Sequence, residues 1–162
     1  MDYRISPTVS SDLKQIREMN EMALPAVSSI LMEDFQHFLV IADYFRSMFI
    51  KDNLIGYLIA LRPDRDYHSV NYKYFEANFP SFVYVDRIVI SPSYQGLGLG
   101  KAFYNDLINF SKNHSPIITC EVNIFPPNEG SMGFHRGYGF KQVDTQLSEG
   151  GKKEVSLMVL EL

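Results

Sequence analysis

The stretch FVYVDRIVISPSYQGLGLGKAFYNDLINF, residues 82–110, decides the fold prediction. Its first nine residues, Phe82–Ile90, are rich in β-branched and aromatic side chains, which favours a central strand. Ser91-Pro92 ends this strand, and Gln95–Gly100 is a glycine-rich loop. A helix is predicted next from apolar residues at helical spacing, namely Leu99, Phe103, Leu107 and Phe110. A strand, a glycine loop and a helix in this order can hold phosphate, because the first helical N–H groups lack internal partners and the helix dipole favours an anion.

Two common phosphate loops do not match these residues. A Walker A loop has Gly five residues before its second Gly, where this chain has Gln95, and Ser or Thr after its Lys, where this chain has Ala102. A dinucleotide-binding loop has its third Gly three residues after the second, where this chain has Lys101. A tight strand-to-helix turn without a ligand is the remaining alternative.

Two separate motifs carry a resemblance to a known family. Gln95-x-x-Gly98-x-Gly100, preceded by Ile88-Val89-Ile90-Ser91-Pro92, resembles the coenzyme A loop of the GNAT acetyltransferase superfamily. Asn128-x-x-Ser131-x-x-Phe134-His135-x-x-x-Gly139-Phe140 resembles the other signature of that superfamily, a helix that ends in Gly-Phe before a strand. Together they cover about residues 82–143, and the N-terminal half is similar only in its architecture. Cys120–Asn123 followed by Pro126-Pro127-Asn128 is similar to an uncharacterised branch of predicted acetyltransferases.

The whole chain, residues 1–162, is predicted to be a single GNAT domain. The fold class is α/β (α+β), with a mixed, mostly antiparallel central sheet flanked by helices. The predicted strands are Arg4–Ser6, Phe45–Ile50, Leu54–Leu61, Phe82–Ile90, Ile117–Val122, Phe140–Asp144 and Val155–Leu160. The predicted helices begin after the caps Ser10 and Ser11, run from about Val27 to Ala42, follow the glycine loop, and span Asn128–Arg136 up to Gly137 and Gly139. Arg62–Ser81 is predicted to be a long excursion with one short helix.

Composition limits the class of function. The chain has 162 residues with 46% hydrophobic and 21% charged side chains, which is typical of a globular domain. Its net charge of −4 argues against a nucleic-acid partner. The longest mostly apolar run, Leu54–Leu61, is too short to span a membrane, and the N-terminus does not resemble a signal peptide, so we expect a cytoplasmic protein without a membrane partner. The single cysteine, Cys120, and four scattered histidines imply no metal.

The resemblance implies acetyl-CoA as co-substrate. Backbone groups of Ile88, Val89 and Ile90 would pair with the pantetheine arm and polarise the acetyl carbonyl. The pyrophosphate would lie on the loop and the start of its helix, at Gln95, Gly96, Leu97, Gly98, Leu99, Gly100 and Lys101. Further cofactor contacts are expected from the second motif, at Asn128, Ser131 and His135.

Acetyl transfer to an amine needs a base for the amine, a donor for the carbonyl oxygen and an acid for the thiolate. The resemblance favours Glu121 as the base, directly or through water, although the segment up to Asn128 is two residues longer than in the family. Asp86 is the alternative base, or it forms a neutralised ion pair with Arg87. His135 stands where the family usually has a tyrosine acid; it would act as an imidazolium or only form a polar wall of the cofactor pocket. Tyr138, three residues later, is the nearest tyrosine.

Acceptor contacts are expected at Tyr67, Asn71 and Ser28. Tyr67–Tyr84 contains seven aromatic residues, which would line an acceptor pocket, pack a lid onto the core or form a dimer surface. The predicted function is direct transfer of an acetyl group from acetyl-CoA to a primary amine of a small molecule or peptide, in a possible homodimer. The alternatives are a catalytically weak acyl-CoA-binding module or sensor, and an acyltransferase that uses another acyl donor.

Overall fold

The computed structural model describes Met1 to Leu162 and divides the chain into two compact units. The first unit consists of Met1–Leu61 and Arg87–Leu107, and the second of Arg62–Asp86 and Ile108–Leu162. The single domain over residues 1–162 stays a prediction. No helix is long and apolar enough to cross a membrane.

The first unit opens with strand β1 (Arg4–Pro7) and helices α1 (Leu13–Met22) and α2 (Met32–Ile41). The hairpin of β2 (Tyr44–Ile50) and β3 (Asn53–Leu61) follows. Strand β1 pairs antiparallel with β2, and β2 pairs antiparallel with β3. Helix α1 packs against β3 through Leu13, Ile16 and Met19, which are buried on one helix face.

The second unit contains helix α3 (Val70–Asn78), strand β5 (Ile117–Phe125), helix α5 (Glu129–Tyr138) and the hairpin of β6 (Lys141–Ser148) and β7 (Lys153–Glu161). Strand β4 (Val83–Ile90) and helix α4 (Leu99–Ser111) each contribute residues to both units. Within the second unit the strand order is β4-β5-β7-β6. Strand β4 is parallel to β5, whereas β5–β7 and β6–β7 are antiparallel.

The predicted fold class is confirmed. The structure has seven strands and five α-helices. The pair β4–β5 is parallel, and four strand pairs are antiparallel. The antiparallel pairs β2–β3 and β6–β7 are hairpins with short connections, whereas the parallel pair β4–β5 needs the long crossover through α4. That crossover places the glycine loop directly after β4.

Three predicted helix boundaries were wrong. The second helix begins at Met32, not at Val27, because the segment that contains Pro25 forms turns. Helix α1 has Asp12 as its N-cap, and Ser10 and Ser11 lie in a short 3-10 turn before it. Gly137 lies inside α5, which ends at Tyr138; the C-cap is Gly139, whose φ of +121° lies in the region that favours glycine.

The aromatic excursion packs into the core of the second unit. Tyr72 and Phe75 of α3 have no exposed surface. Their rings lie 5.5 and 5.8 Å from the ring of Tyr84 on β4, and Phe82 adds a further ring contact at 6.1 Å from Phe75. Of the three roles predicted for these aromatics, packing onto the core is the one that these contacts support.

Candidate functional site

The glycine loop has the shape that backbone phosphate binding needs. Gly96 and Gly98 have φ values of +74° and +79°, a left-handed conformation that favours glycine. A Cβ atom placed on either residue meets no heavy atom within 4 Å, so backbone conformation and not crowding explains these glycines. The open space and the missing side chains leave room for a ligand close to the backbone.

Helix α4 begins at the end of this loop. The N–H of Ala102 donates to the carbonyl of Gly98 at 3.1 Å, so the N–H groups of Leu99, Gly100 and Lys101 precede the first helical hydrogen bond. Gly100, which the sequence places in the loop, lies in the first turn of the helix. Nε2 of Gln95 donates to the carbonyl of Ile90 at 2.9 Å and thereby ties the loop to the end of β4. These residues fit a pyrophosphate, which the helix dipole would also favour.

The end of β4 lies against β3 because of Gly56, a residue that sequence reasoning missed. A Cβ atom at Gly56 would lie 2.8 Å from the carbonyl oxygen of Val89 and 2.7 Å from Cδ1 of Ile90. The N–H of Ser91 also donates to the carbonyl of Ile55 at 2.8 Å. The signal in the sequence is a single glycine inside an otherwise apolar strand, which often marks a close backbone approach.

Glu121, the first candidate base, lies on β5 in the second unit and is partly buried. The hydroxyl of Tyr84 donates to Oε1 of Glu121 at 2.9 Å. Burial, and next the charge of Glu121, raise the pKa of Tyr84 well above its usual value, so this phenol stays protonated and acts as a donor. This bond fixes the orientation of the Glu121 carboxylate.

Asp86, the alternative base, has a tyrosine partner of its own. The hydroxyl of Tyr67 donates a short hydrogen bond to Oδ1 of Asp86. Asp86 also acts electrostatically on Tyr84, as Glu121 does. The structure therefore brings Asp86, Glu121 and Tyr67 close to Tyr84 in the second unit.

Arg87, the other half of the predicted ion pair, bonds to neutral groups in the first unit. Its Nη1 atom donates to Oδ1 of Asn20 at 2.9 Å and to the carbonyl of Ser28 at 3.1 Å. Ser28, expected at the acceptor, thus holds a buried guanidinium through its carbonyl and through its hydroxyl, which accepts from Nη2 of Arg87 at 3.4 Å. Asn20 was not predicted; the signal for it is a polar side chain four residues after Ile16 on the apolar face of α1.

Helix α5 carries the second motif. Asn128 is the N-cap and accepts from the N–H of Ser131 at 3.2 Å, as its residue type favours. Nδ1 of His135 lies 2.8 Å from the carbonyl oxygen of Ser131; a carbonyl only accepts, so Nδ1 carries a proton and donates. The ring is buried, and burial lowers the pKa of His135 below 6.5. His135 is therefore neutral at pH 7.

The remaining predicted residues differ in their surroundings. Asn71 is buried, and its Oδ1 accepts from Nε2 of Gln146 on β6 at 3.0 Å, so it joins α3 to the sheet. Tyr138 packs against Phe134 and Phe140, and burial raises its pKa. No group of three or more His, Cys, Asp or Glu side chains is arranged to hold a metal ion.

The chain is similar to a curated protein over part of its length. A curated relative, glucosamine 6-phosphate N-acetyltransferase of Trypanosoma brucei brucei, is 33% identical over 64 residues, which are 40% of this chain and 41% of that protein. The match therefore spans about two-fifths of the curated relative.

Two solved structures cover almost the whole chain. NAA60 of Arabidopsis thaliana in complex with acetyl-CoA has a TM-score of 0.79 at 16% identity and covers 99% of both chains. Ard1 of Thermoplasma volcanium has a TM-score of 0.82 at 10% identity and covers 100% of this chain and 99% of its own. At these identities the likeness shows the fold.

The family model described as "Acetyltransferase (GNAT) family" matches residues 13–140, a range that contains the glycine loop, both candidate bases and the second motif. The chain therefore belongs to the GNAT acetyltransferase family.

Proposed function

We propose that this protein is an acetyl-CoA-dependent N-acetyltransferase that moves an acetyl group directly to a primary amine of a small molecule or peptide. The observation that carries the proposal is the glycine loop of a GNAT chain, with two left-handed glycines that are surrounded by open space directly before α4. When bound, acetyl-CoA supplies an acetyl group that is activated as a thioester.

The residues of the loop and of β4 have separate tasks in this proposal. The N–H groups from Gly96 to Lys101 bind the pyrophosphate, and the exposed Lys101 adds a positive charge. Backbone groups of Ile88–Ile90 bind the pantetheine arm and polarise the carbonyl. Asn128 and Ser131 contribute at the start of α5.

Glu121 is proposed as the base that takes the proton of the acceptor ammonium. Its support is the hydrogen bond from Tyr84, which orients the carboxylate. Asp86, with Tyr67 as its donor, is the alternative. Since each carboxylate has its own tyrosine, substitution of each in turn can separate the two assignments.

His135 is proposed as a polar wall and not as the acid. Its Nδ1 proton is donated to the Ser131 carbonyl, and burial lowers its pKa, which disfavours the imidazolium at pH 7. Tyr138 lies three residues later in the sequence, and its phenol stays protonated because burial raises its pKa. The same observation at His135 favours a second candidate function, a coenzyme A-binding module with little turnover.

For the acceptor we propose an amine on a small molecule or a peptide. The curated relative is named for glucosamine 6-phosphate, and the Arabidopsis structure was solved with acetyl-CoA. Tyr67 and Ser28 are proposed on the acceptor side, and Asn71 is proposed to act through packing, given its bond to Gln146.

Calorimetric titration with acetyl-CoA, with ATP and NAD as controls, tests the donor site. We expect saturable binding of acetyl-CoA alone. Gly98→Val should weaken it at least about tenfold, since a β-branched residue at φ +79° costs on the order of 1–3 kcal/mol and displaces the loop. Gly150→Val is the matched control, because Gly150 has φ +66° and equally open surroundings in the β6–β7 turn. No binding to the unmodified protein would reject the proposal.

Thiol release with a panel of primary amines then tests turnover. Glu121→Gln should lower kcat by at least about a hundredfold while the Kd for acetyl-CoA stays unchanged, as expected for a general base. Asp86→Asn is the comparison. Binding of acetyl-CoA with no thiol release from any amine would support the binding module instead.

A further inference from the structure

The hydroxyl of Tyr84 donates a hydrogen bond to the candidate base, Glu121. Tyr84 has no exposed surface and donates to Oε1 of Glu121 at 2.9 Å. In the parallel register of β4 and β5, Tyr84 lies opposite Thr119, and Glu121 follows two residues later on the same face. The bond therefore joins neighbouring strands at the point where their registered pairing ends, at Val85 and Cys120.

The ring of Tyr84 leaves its hydroxyl little freedom. Tyr72 and Phe75 of α3 hold the ring at centroid distances of 5.5 and 5.8 Å. A phenol fixed in this way presents its proton in one direction, so it selects one orientation of the carboxylate. We infer that Tyr84 is the positioning residue that holds Glu121 in the orientation from which it accepts the proton of the acceptor amine. This inference rests on the proposed function, in which Glu121 is the base.

Other titratable groups also face this pair. They come from β4, from β5 and from the excursion, and are Asp86, Cys120, Tyr67 and Tyr72. On β7 the residue opposite Glu121 is the apolar Leu157. Asp86 is the one further carboxylate that acts on Tyr84, and it accepts from Tyr67. A change confined to the Tyr84 hydroxyl therefore acts first on Glu121.

Tyr84→Phe removes this hydroxyl and keeps the packed ring. Loss of a donor to a carboxylate disfavours the charged form, so the pKa of Glu121 should rise, by about one unit for a bond of ordinary strength. The acidic limb of the pH profile of kcat/KM should move to higher pH by the same amount. The value of kcat should fall about tenfold, while the Kd for acetyl-CoA stays unchanged. A residue that only stabilised the fold would lower the melting temperature without moving the pH limb.

Tyr72→Phe is the matched control. Tyr72 is equally buried in the same aromatic cluster, but its hydroxyl donates to the carbonyl of Arg62 and accepts from the N–H of Arg65. We expect this variant to keep the pH profile of the unmodified protein. A shift of similar size in both variants would overturn the inference, since it would show a general effect of the cluster.

Carboxyl ¹³C NMR of Glu121, assigned with Glu121→Gln, separates failure of this inference from failure of the proposed function. If the Glu121 titration and the acidic limb move together in Tyr84→Phe, the inference is supported. If the titration moves but the limb does not, Glu121 is not the base, and the proposed function loses its base. If neither moves while Glu121→Gln is inactive, Glu121 remains the base and Tyr84 is not its positioning residue.

A second substitution covers the case in which Tyr84→Phe does not fold. Replacement of Tyr84 by 3-fluorotyrosine keeps the hydroxyl and makes it a more acidic, stronger donor. The acidic limb should then move to lower pH, opposite to the effect of phenylalanine. An unchanged limb in the fluorinated protein would overturn the inference.

Discussion

Nη1 of Arg87 donates to Oδ1 of Asn20 at 2.9 Å inside the first unit, where Asn20 has no exposed surface. The same oxygen accepts from the hydroxyl of Tyr57 at 2.7 Å, and Nδ2 of Asn20 donates to the carbonyl of Ser28 at 3.0 Å. One amide thus joins α1, β3, β4 and the segment between α1 and α2. A buried guanidinium is tolerated only where its donors find acceptors, and Asn20 and Ser28 supply acceptors here.

Asn20→Ala should lower the free energy of unfolding by about 2–4 kcal/mol, because the Tyr57 hydroxyl and the Arg87 guanidinium both lose an acceptor while buried. Urea denaturation measures this loss. Ser29→Ala is the control: its exposed hydroxyl donates to Glu21, and its removal should cost less than about 0.5 kcal/mol. Equal effects of the two variants would contradict the central position of Asn20.

Gly56→Ala tests the close approach of β3 to the end of β4. The new methyl group would lie 2.8 Å from the carbonyl oxygen of Val89, a backbone atom that cannot rotate away. We expect the free energy of unfolding to fall by about 1–3 kcal/mol, as for an overpacked site, and acetyl-CoA to bind more weakly. Gly133→Ala, at an open position in α5, should instead stabilise the protein by up to about 1 kcal/mol. Denaturation and calorimetry on both variants compare the two sites directly.

The strand, loop and helix around the glycine motif could be predicted from the sequence, whereas the contacts of Glu121 could not. The strand, the glycine loop and α4 are specified by local signals, since left-handed glycines and apolar spacing act over a few residues. Tyr84 could not be recognised as the partner of Glu121, because the two residues are 37 positions apart and meet only through the β4–β5 register. A pairing of this kind leaves no spacing rule in a single sequence.

His135 illustrates the same limit within one helix. Its position in the second motif was correctly placed on α5, but its protonation depends on burial and on the Ser131 carbonyl. Helical spacing predicts that residues 131 and 135 are neighbours. It does not predict which ring nitrogen donates a hydrogen bond or how deeply the ring is buried. These two properties distinguish a histidine that acts as an acid from one that only lines the cofactor pocket.

His135 should make the stability of the protein depend on pH in a defined direction. Burial lowers its pKa in the folded protein, so between that pKa and about 6.5 the unfolded chain binds a proton that the folded protein does not. The stabilisation is complete above about pH 7.5 and is lost as the pH falls through 6.5, by at most about 1.4 kcal/mol per pH unit. The stability advantage of the unmodified protein over His135→Gln should therefore shrink between pH 7.5 and pH 5.

Urea denaturation of both proteins at several pH values measures this difference, and other titrating groups cancel in the comparison. His68→Gln, at a side chain that is 79% exposed, controls for the substitution itself. An advantage that instead grew towards pH 5 would show that His135 is charged in the folded protein. The acid role, and not the polar wall, would then be correct.

Cys120 should take no part in the transfer. Its side chain is 2% exposed, and burial followed by the charge of Glu121 raises the pKa of the thiol well above its usual value, so the nucleophilic thiolate is absent at neutral pH. Cys120→Ala should keep kcat within about twofold and lose on the order of 1 kcal/mol of stability from the small cavity. The native protein should resist iodoacetamide and react with it only in urea.

Steady-state kinetics provide the sharper test, because an acetyl-cysteine would give parallel lines in double-reciprocal plots and direct transfer gives intersecting lines. We expect intersecting lines for both the unmodified protein and Cys120→Ala. Parallel lines that become intersecting in the variant, or a folded variant without turnover, would show that the thiol carries the acetyl group. Direct transfer would then have to be abandoned, and Glu121 would act on the thiol and not on the amine.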